Sequence, residues 1–387
     1  MNNEIKKFLE RKDERKNSAS AKLKLLVHGV KDFSVVKDKF FKREHYAYDN
    51  DSWRVDKDRF TQLLLPGGIV SKIHIRPESQ YALHIDNEKL YLKDENNSKF
   101  LSEFMFLPRP NFWNYTTSTG THAKKLAQPY GLNCLNFFNI YSGCDFHNAE
   151  DGCKFCYVKT SAKRDDTVKF IKSPNEIAEV CELATKYDEF EYVIIHGGSN
   201  INSEKEFDRY INIIKAIKDR LPWNGQIKGN VALMPPKNMN RLKELHELGV
   251  EHPSFNMEVW GKKNFDKICP GKAKYVGFEH IVKSLLHLAE IYGKGQVWSN
   301  FVAGIVPIEN YKEGFKFLAE HGIVPGANVY CAESYSIGNP LRTINEDYVL
   351  DLYRYGNDLY NKYGYKPYFN TLVLRNSLAN EVFEGLL

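Results

Sequence analysis

Three cysteines share one polar loop, and this constrains the chain more than any other feature. Residues 141–160 read YSGCDFHNAEDGCKFCYVKT and hold Cys144, Cys153 and Cys156. Eight residues separate the first two and two separate the last two. Asp, Asn, Gly and Lys fill the interval, so the segment is a loop and not a helix or strand. A free cysteine kept for packing is buried and solitary among apolar neighbours. Three thiols crowded into one loop point instead to a shared soft metal centre.

The spacing narrows the choice of centre. Structural zinc takes four protein ligands, often as two close cysteine pairs. Here there is one such pair and one distant cysteine, and His147 as the fourth ligand would need a cramped loop. Electron-transfer clusters also use four cysteines. Three suit a [4Fe–4S] cluster with one iron left open, while zinc remains the alternative. Cys153-Lys154-Phe155-Cys156-Tyr157 adds an aromatic residue beside the last cysteine on either side.

Composition sets the bounds. The chain has 387 residues, 42% of them apolar, ample for one large or two modest domains. No run of eighteen apolar residues suggests a membrane span. Residues 1–17 are charged and lack the apolar core of a signal peptide. Seven cysteines without regular disulfide spacing indicate a reducing compartment, hence a cytoplasmic protein. A net charge of +5 with pI near 8.6 admits an anionic ligand but gives no nucleic-acid footprint.

Along the chain, residues 1–30 read as helix and residues 61–95 as short strands broken by Pro66-Gly67-Gly68, Pro77 and Asp86-Asn87. Residues 1–125 are expected to form an N-terminal α+β extension. The Pro/Thr/Gly-rich connection 108–131 offers Tyr115, Thr116, Thr117 and His122 as substrate contacts, against the favoured reading of ordinary loop hydrogen bonding. From residue 132 strands and helices alternate. Strands are predicted at 132–140, 191–196, 225–234, 252–260, 296–305 and 326–333. Helices are predicted at 175–187, 204–221, 238–248, 279–291, 310–320 and 346–362, the first after a Ser173-Pro174 start signal. Residues 262–277 read as irregular, and residues 365–374 as a final strand. Six strand–helix units predict an α/β fold, a parallel sheet curled into a partial (β/α)6 TIM-type barrel. Its core is expected over 126–343, with 344–387 completing it.

In parallel barrels the chemistry sits beyond the C-terminal ends of the strands. Gly197-Gly198-Ser199 follows strand two, where glycines let the backbone approach a ligand. Asn256 and Glu258 end strand four at alternating positions, hence on one face. Ser299 and Asn300 lie on strand five. Strand six carries Asn328, Tyr330 and Cys331, then Glu333, Tyr335 and Ser336. Cys134, Cys181 and Cys269 read as buried packing residues, whereas Cys331 falls near the active end.

These motifs resemble the radical SAM superfamily. Its usual pattern is C-x₃-C-x₂-C, and this chain departs from it with C-x₈-C-x₂-C. Gly197-Gly198-Ser199 corresponds to a Gly-Gly-Glu-like element with Ser in place of the acid. Gly304, Ile305 and Glu309 loosely match the family's fifth-strand pattern. The resemblance implies a [4Fe–4S] cluster on Cys144, Cys153 and Cys156, whose open iron chelates S-adenosylmethionine. It implies cofactor contacts from Phe155, Tyr157, Gly197, Gly198 and Ser199, and from Asn256, Glu258, Ser299, Asn300 and Asn328. Cys331 would donate a hydrogen atom or bind an auxiliary cluster. The implied reaction is reductive cleavage of S-adenosylmethionine to a 5′-deoxyadenosyl radical, which abstracts hydrogen from a small-molecule substrate. An electron donor such as flavodoxin or ferredoxin would supply the cluster. Residues 110–340 are further similar to radical SAM proteins found beside nitrilase-type genes, with a biotin synthase-like barrel. The extension and the 108–131 connection are expected to close the barrel mouth. The alternatives are an RNA-modifying radical enzyme and a non-catalytic iron–sulfur or zinc protein; membrane and nucleic acid are disfavoured as partners.

Overall fold

Short buried strands alternating with amphipathic helices build the sheet that carries the cysteine loop. The structure is a computed structural model that describes residues 3–33, 62–137, 140, 143–156, 171–221, 227–331 and 344–387. Two sheets are present among these residues. The first is antiparallel: β1 (Gln62–Leu65), β2 (Ile69–Lys72), β3 (Tyr81–Asp86), β4 (Lys89–Asp94) and β5 (Lys99–Phe106), in the order β2-β1-β5-β4-β3. Helices α1 (Asn3–Glu10) and α2 (Arg15–His28) precede it. The predicted single N-terminal helix is thus two, joined by the short 3₁₀ turn Lys12–Glu14. Strand β5 had no counterpart in the sequence reading.

The second sheet holds β6 (Gln128–Tyr130), β7 (Cys134–Phe137), β8 (Tyr192–Ile195), β9 (Ile227–Ala232), β10 (Val250–Ser254), β11 (Val297–Ala303) and β12 (Ile323–Val329). They lie in strict chain order, and every pair from β7 to β12 is parallel. Only β6 runs antiparallel, on β7. The six parallel strands curl into the open half-barrel that the strand–helix alternation predicted. Parallel strands covered on both faces read as apolar runs, and β7 is buried at all four positions.

The helices on the outer face begin where their caps dictate. In α3 (Pro174–Tyr187) the Ser173 hydroxyl accepts from Glu176 N while the Glu176 carboxylate returns to Ser173 N, a reciprocal cap worth about 1 kcal/mol. Asn202 caps α4 (Ser203–Arg220) and Asn345 caps α10 (Glu346–Tyr363), each with its side-chain oxygen accepting from backbone N–H of the first turn. Between them lie α5 (Lys243–Glu247), α6 (Lys262–Ile268), α7 (Pro270–Tyr275), α8 (Phe278–Tyr292) and α9 (Ile308–Glu320), and α11 (Ala379–Phe383) closes the described chain. Residues 262–277, expected to be irregular, are therefore mostly helical, because Pro270 starts a second helix directly after the first.

Two further expectations are corrected. Residues 365–374 form no strand; they thread as irregular chain between the two sheets. Val70 N and Leu132 N donate to the Thr371 and Leu372 carbonyls, both at 2.9 Å, and Val329 N donates to Asn376 O at 2.9 Å. The last bond pairs one group on the open edge of β12, and the first two satisfy the segment without a ladder. Among the described residues, the connection 108–131 packs along α3 and borders no part of the cysteine cavity. It follows α3 from Asp188, which accepts from Phe112 N at 2.8 Å, to Glu176, which accepts from Thr119 and Thr121 hydroxyls at 2.7 Å. Tyr115 stacks on Tyr187 at 4.0 Å and Thr116 pairs with His122, so these four candidates serve the loop itself.

Candidate active site

The cysteine loop leaves the sheet just beyond β7, at the C-terminal end of the barrel. Cys144, Cys153 and Cys156 border one cavity of about 170 Å³, together with Phe155, Gly197, Gly198 and Ser199. Asn256 and Glu258 complete the opposite wall. Nine expected site residues thus meet around one space. Tyr157, Glu333, Tyr335 and Ser336 lie outside the described residues.

Backbone contacts lock the cysteine loop to the turn after β8. Ser199 N points at Cys144 Sγ at 3.3 Å, and Asp145 N donates to Ser199 O at 2.9 Å. Gly198 lies so close to Gly143 and Cys144 that an added Cβ would overlap the Gly143 carbonyl. Glycine is needed there for the close approach between two loops.

The wall after β10 differs from the expected strand. Strand β10 ends at Ser254, the chain bulges over residues 255–257, and Glu258 rejoins β11 through an isolated bridge to Phe301. Glu258 takes φ +62°, a left-handed conformation that costs a non-glycine residue and is concentrated at functional sites. Asn256 and Glu258 therefore reach the cavity from a bulge and not from one face of a strand. Ser299 clamps that bulge: its hydroxyl donates to Phe255 O at 2.9 Å and accepts from Met257 N at 3.1 Å. It is fully buried and does not border the cavity.

Asn300 and Asn328 line an adjoining space deeper in the barrel. Cys331 is buried beyond β12, its thiol near Val329 O at 3.7 Å, and borders neither space. His147 also stays off the cavity wall. Among the described residues, no three His, Cys, Asp or Glu side chains close on a single-ion centre. A larger cavity of about 540 Å³, bordered by Arg109, Lys186, Asp188 and Glu191, lies at the other end of the strands, away from the cysteines.

Three titratable cavity residues escaped the sequence reading, and Cys269 lies behind the wall beside them. Lys272, from α7, donates to Glu258 Oε1 at 2.6 Å. Burial alone would lower its pKa, but the facing Glu258 carboxylate reverses this and the net shift is upward. Glu206, from α4, accepts from Asn200 N at 2.8 Å and Met234 N at 3.0 Å, and burial pushes its carboxyl up to about 7. His196 meets the Asn136 amide oxygen at 2.8 Å. Cys269 is hydrogen-bonded with Cys153, which raises the Cys153 pKa further than burial does. The residues Cys269-Pro270-Gly271-Lys272 back the loop: Lys154 N donates to Ile268 O at 2.8 Å and Gly271 N to Asp151 O at 2.7 Å. The proline-started run was the only signal in the sequence.

Burial also pushes the Cys144 thiol up, to about 11, against hydrogen bonds from the Ser199 and Phe146 backbones. A metal cation beside such thiols would invert the local electrostatics and deprotonate them.

No family profile matches the chain. The bacteriochlorophyllide c C-7(1)-hydroxylase of Chlorobaculum limnaeum is 24% identical over 257 residues, which are 60% of this chain and 61% of that protein. The chain thus aligns with about three-fifths of that relative's length. SuiB of Streptococcus suis, solved with S-adenosylmethionine, superposes with a TM-score of 0.45 at 17% identity, covering 62% of this chain and 50% of SuiB. A radical SAM methyltransferase from Sphaerobacter thermophilus gives 0.43 at 10% identity over 79% of this chain and 82% of its own. The cysteine triad, the half-barrel beneath it and the likeness to that hydroxylase agree with the resemblance to the radical SAM superfamily expected from the sequence. Among the described residues, no helix is long and apolar enough to cross a membrane.

Proposed function

We propose that the chain is an enzyme that holds a [4Fe–4S] cluster on Cys144, Cys153 and Cys156 and binds S-adenosylmethionine beside it, to act on a small-molecule substrate. The observation that carries this reading is the meeting of three thiols with the Gly197-Gly198-Ser199 backbone around one cavity. Three soft donors without a fourth suit a cluster with one open iron. When bound, that pair supplies a 5′-deoxyadenosyl radical able to take hydrogen from an unactivated C–H bond.

The chain's own residues bind, orient and shield. Gly197 and Gly198 offer backbone groups at close range, and Asn256 offers an amide to a ribose or an amino-acid carboxylate. The Lys272 ammonium, tied to Glu258, supplies a fixed positive charge at the wall for the carboxylate of S-adenosylmethionine. Phe155 and Phe146 exclude water from the cysteine side, which protects a reactive intermediate from stray donors. An electron donor of the flavodoxin or ferredoxin kind would serve the cluster.

The test is anaerobic. The chain is reconstituted with iron and sulfide, reduced with dithionite and given S-adenosylmethionine, and 5′-deoxyadenosine is measured by mass spectrometry. The nucleoside is expected from the wild type and not from Cys153→Ala. Zinc that copurifies and resists replacement by iron would overturn the assignment.

A further inference from the structure

Beneath the cysteine-bearing cavity lies a space whose wall is polar but uncharged. A second cavity of about 140 Å³ lies there and shares His196, Ala232 and Asn256 with the first. Amides dominate its polar wall: Asn230 from β9, Asn256 from the bulge, Asn300 from β11 and Asn328 from β12. Among the described residues no Asp, Glu, Lys or Arg borders it. The irregular C-terminal segment supplies an apolar floor through Phe369 and Leu374. The first cavity, by contrast, is charged by Glu206, Glu258 and Lys272.

Two observations point to an occupant. Trp298 borders the cavity at 9% exposure, and its buried Nε1–H has no acceptor. The indole rests against Gly326, where any side chain would collide with it. A buried donor left unpaired is costly, and native structures keep such groups for a reason. Secondly, the Asn300 and Asn328 side-chain amides make no hydrogen bond among the described residues. Asn230, in contrast, already donates to His252 O at 3.0 Å, and Asn256 accepts from Asn300 N at 3.3 Å. An asparagine amide presents a donor and an acceptor side by side, and so pairs edge to edge with another donor–acceptor group, as it does with adenine.

We propose that this cavity receives an uncharged amide-bearing head of the substrate, a carboxamide or lactam ring, and rejects the carboxylate of the same shape. The inference rests on the radical reading above for its view of the cavity as the substrate's side. A carboxylate brought here would lose its water with no cation on the cavity wall in return, since the Arg375 guanidinium lies against the Tyr130 ring and does not border the space. A neutral amide keeps its hydrogen bonds with Asn300, Asn328 and the Trp298 N–H, while its ring lies over Phe369.

Ligand-detected NMR on the reconstituted full chain tests this under anaerobic conditions. The probes are nicotinamide against nicotinate and uracil against orotate, each an uncharged amide or lactam set beside a carboxylate-bearing relative. Each uncharged probe is expected to bind at least about tenfold more tightly than its partner, since a buried charge without a counter-charge is strongly disfavoured. Trp298→Phe keeps the ring stack and removes the N–H, and is expected to weaken nicotinamide about fivefold, the value of one hydrogen bond. Asn328→Ala is expected to do the same and guards against a Trp298 variant that folds poorly. Nicotinate binding as tightly as nicotinamide, no saturable binding of either uncharged probe, or both variants binding like the wild type would overturn the proposal. Deoxyadenosine formation separates the two readings. Amide binding without cleavage retains the cavity assignment and sinks the radical one; cleavage without amide binding does the reverse.

Discussion

Lys272 Nζ lies 2.6 Å from Glu258 Oε1, and both side chains are about nine-tenths buried in the wall of the cysteine cavity, at 10% and 11% exposure. The pair ties α7 to the strained bulge after β10. Lys272→Met leaves a buried carboxylate without its cation, which costs about 3–5 kcal/mol. Adding Glu258→Leu to it is expected to return most of that loss. Urea unfolding of the two variants measures the difference, and equal midpoints for Lys272→Met and the wild type would show that water compensates the carboxylate.

Gly198→Ala is expected to abolish metal loading while the barrel survives. Its Cβ would overlap the Gly143 carbonyl and Cys144, so the cysteine loop must shift. Iron and sulfide per chain after reconstitution should fall to the level of Cys153→Ala, with the far-ultraviolet circular dichroism unchanged. Full loading of the variant would mean that the two loops separate at little cost.

A fully buried ion pair joins the two ends of the described chain. Lys22 on α2 donates to Glu381 Oε1 on α11 at 2.8 Å, and both side chains are wholly inaccessible. Burial lowers the lysine pKa and raises that of the glutamate, each partly offset by its partner. Lys22→Met alone is expected to cost about 3–5 kcal/mol, and Lys22→Met with Glu381→Leu to be nearly neutral. The thermal unfolding midpoints of the single and double variants decide it.

Glu206 makes stability depend on pH. Its carboxyl is raised from 4.5 to about 7, so the folded chain keeps a proton that the unfolded chain releases. The stabilisation is complete below pH 4.5 and is lost as pH rises to about 7, amounting to about 3 kcal/mol over that window. Thermal unfolding between pH 5 and 8 should show the decline, and Glu206→Gln should flatten it. An unchanged slope in the variant would assign the dependence to other groups.

Much of the barrel was legible because it is written in local pattern. Apolar runs of strand length, the Ser173-Pro174 cap and the order of strand and helix need only nearest-neighbour physics to read. All six parallel strands were foreseen, although the fourth ends at Ser254, six residues before its predicted end, and the sixth starts three residues early. The cysteine triad and Gly197-Gly198 were legible for a similar reason: residue type and spacing mark them without reference to the rest of the chain.

Other features had no local signature. Lys272 sits fourteen residues beyond Glu258, and nothing in its own neighbourhood says that they meet in a cavity wall. Glu206 reads as a solvated helix residue until α4 turns it inward to two backbone amides. Ser299 was expected as a cofactor contact on strand five, yet it serves as the clamp of a bulge that alternation cannot foresee. Residues 365–374 carry strand-like composition, but the Thr371 and Leu372 carbonyls pair with β2 and with the turn before β7, and no ladder forms. The sequence by itself determined the class of fold, the cysteine loop and the end of the barrel on which that loop lies, since periodicity and thiol spacing are local. Which charges face the cysteines, and the uncharged lining of the space below them, were decided only by tertiary packing, because burial and pairing belong to residues far apart in the chain.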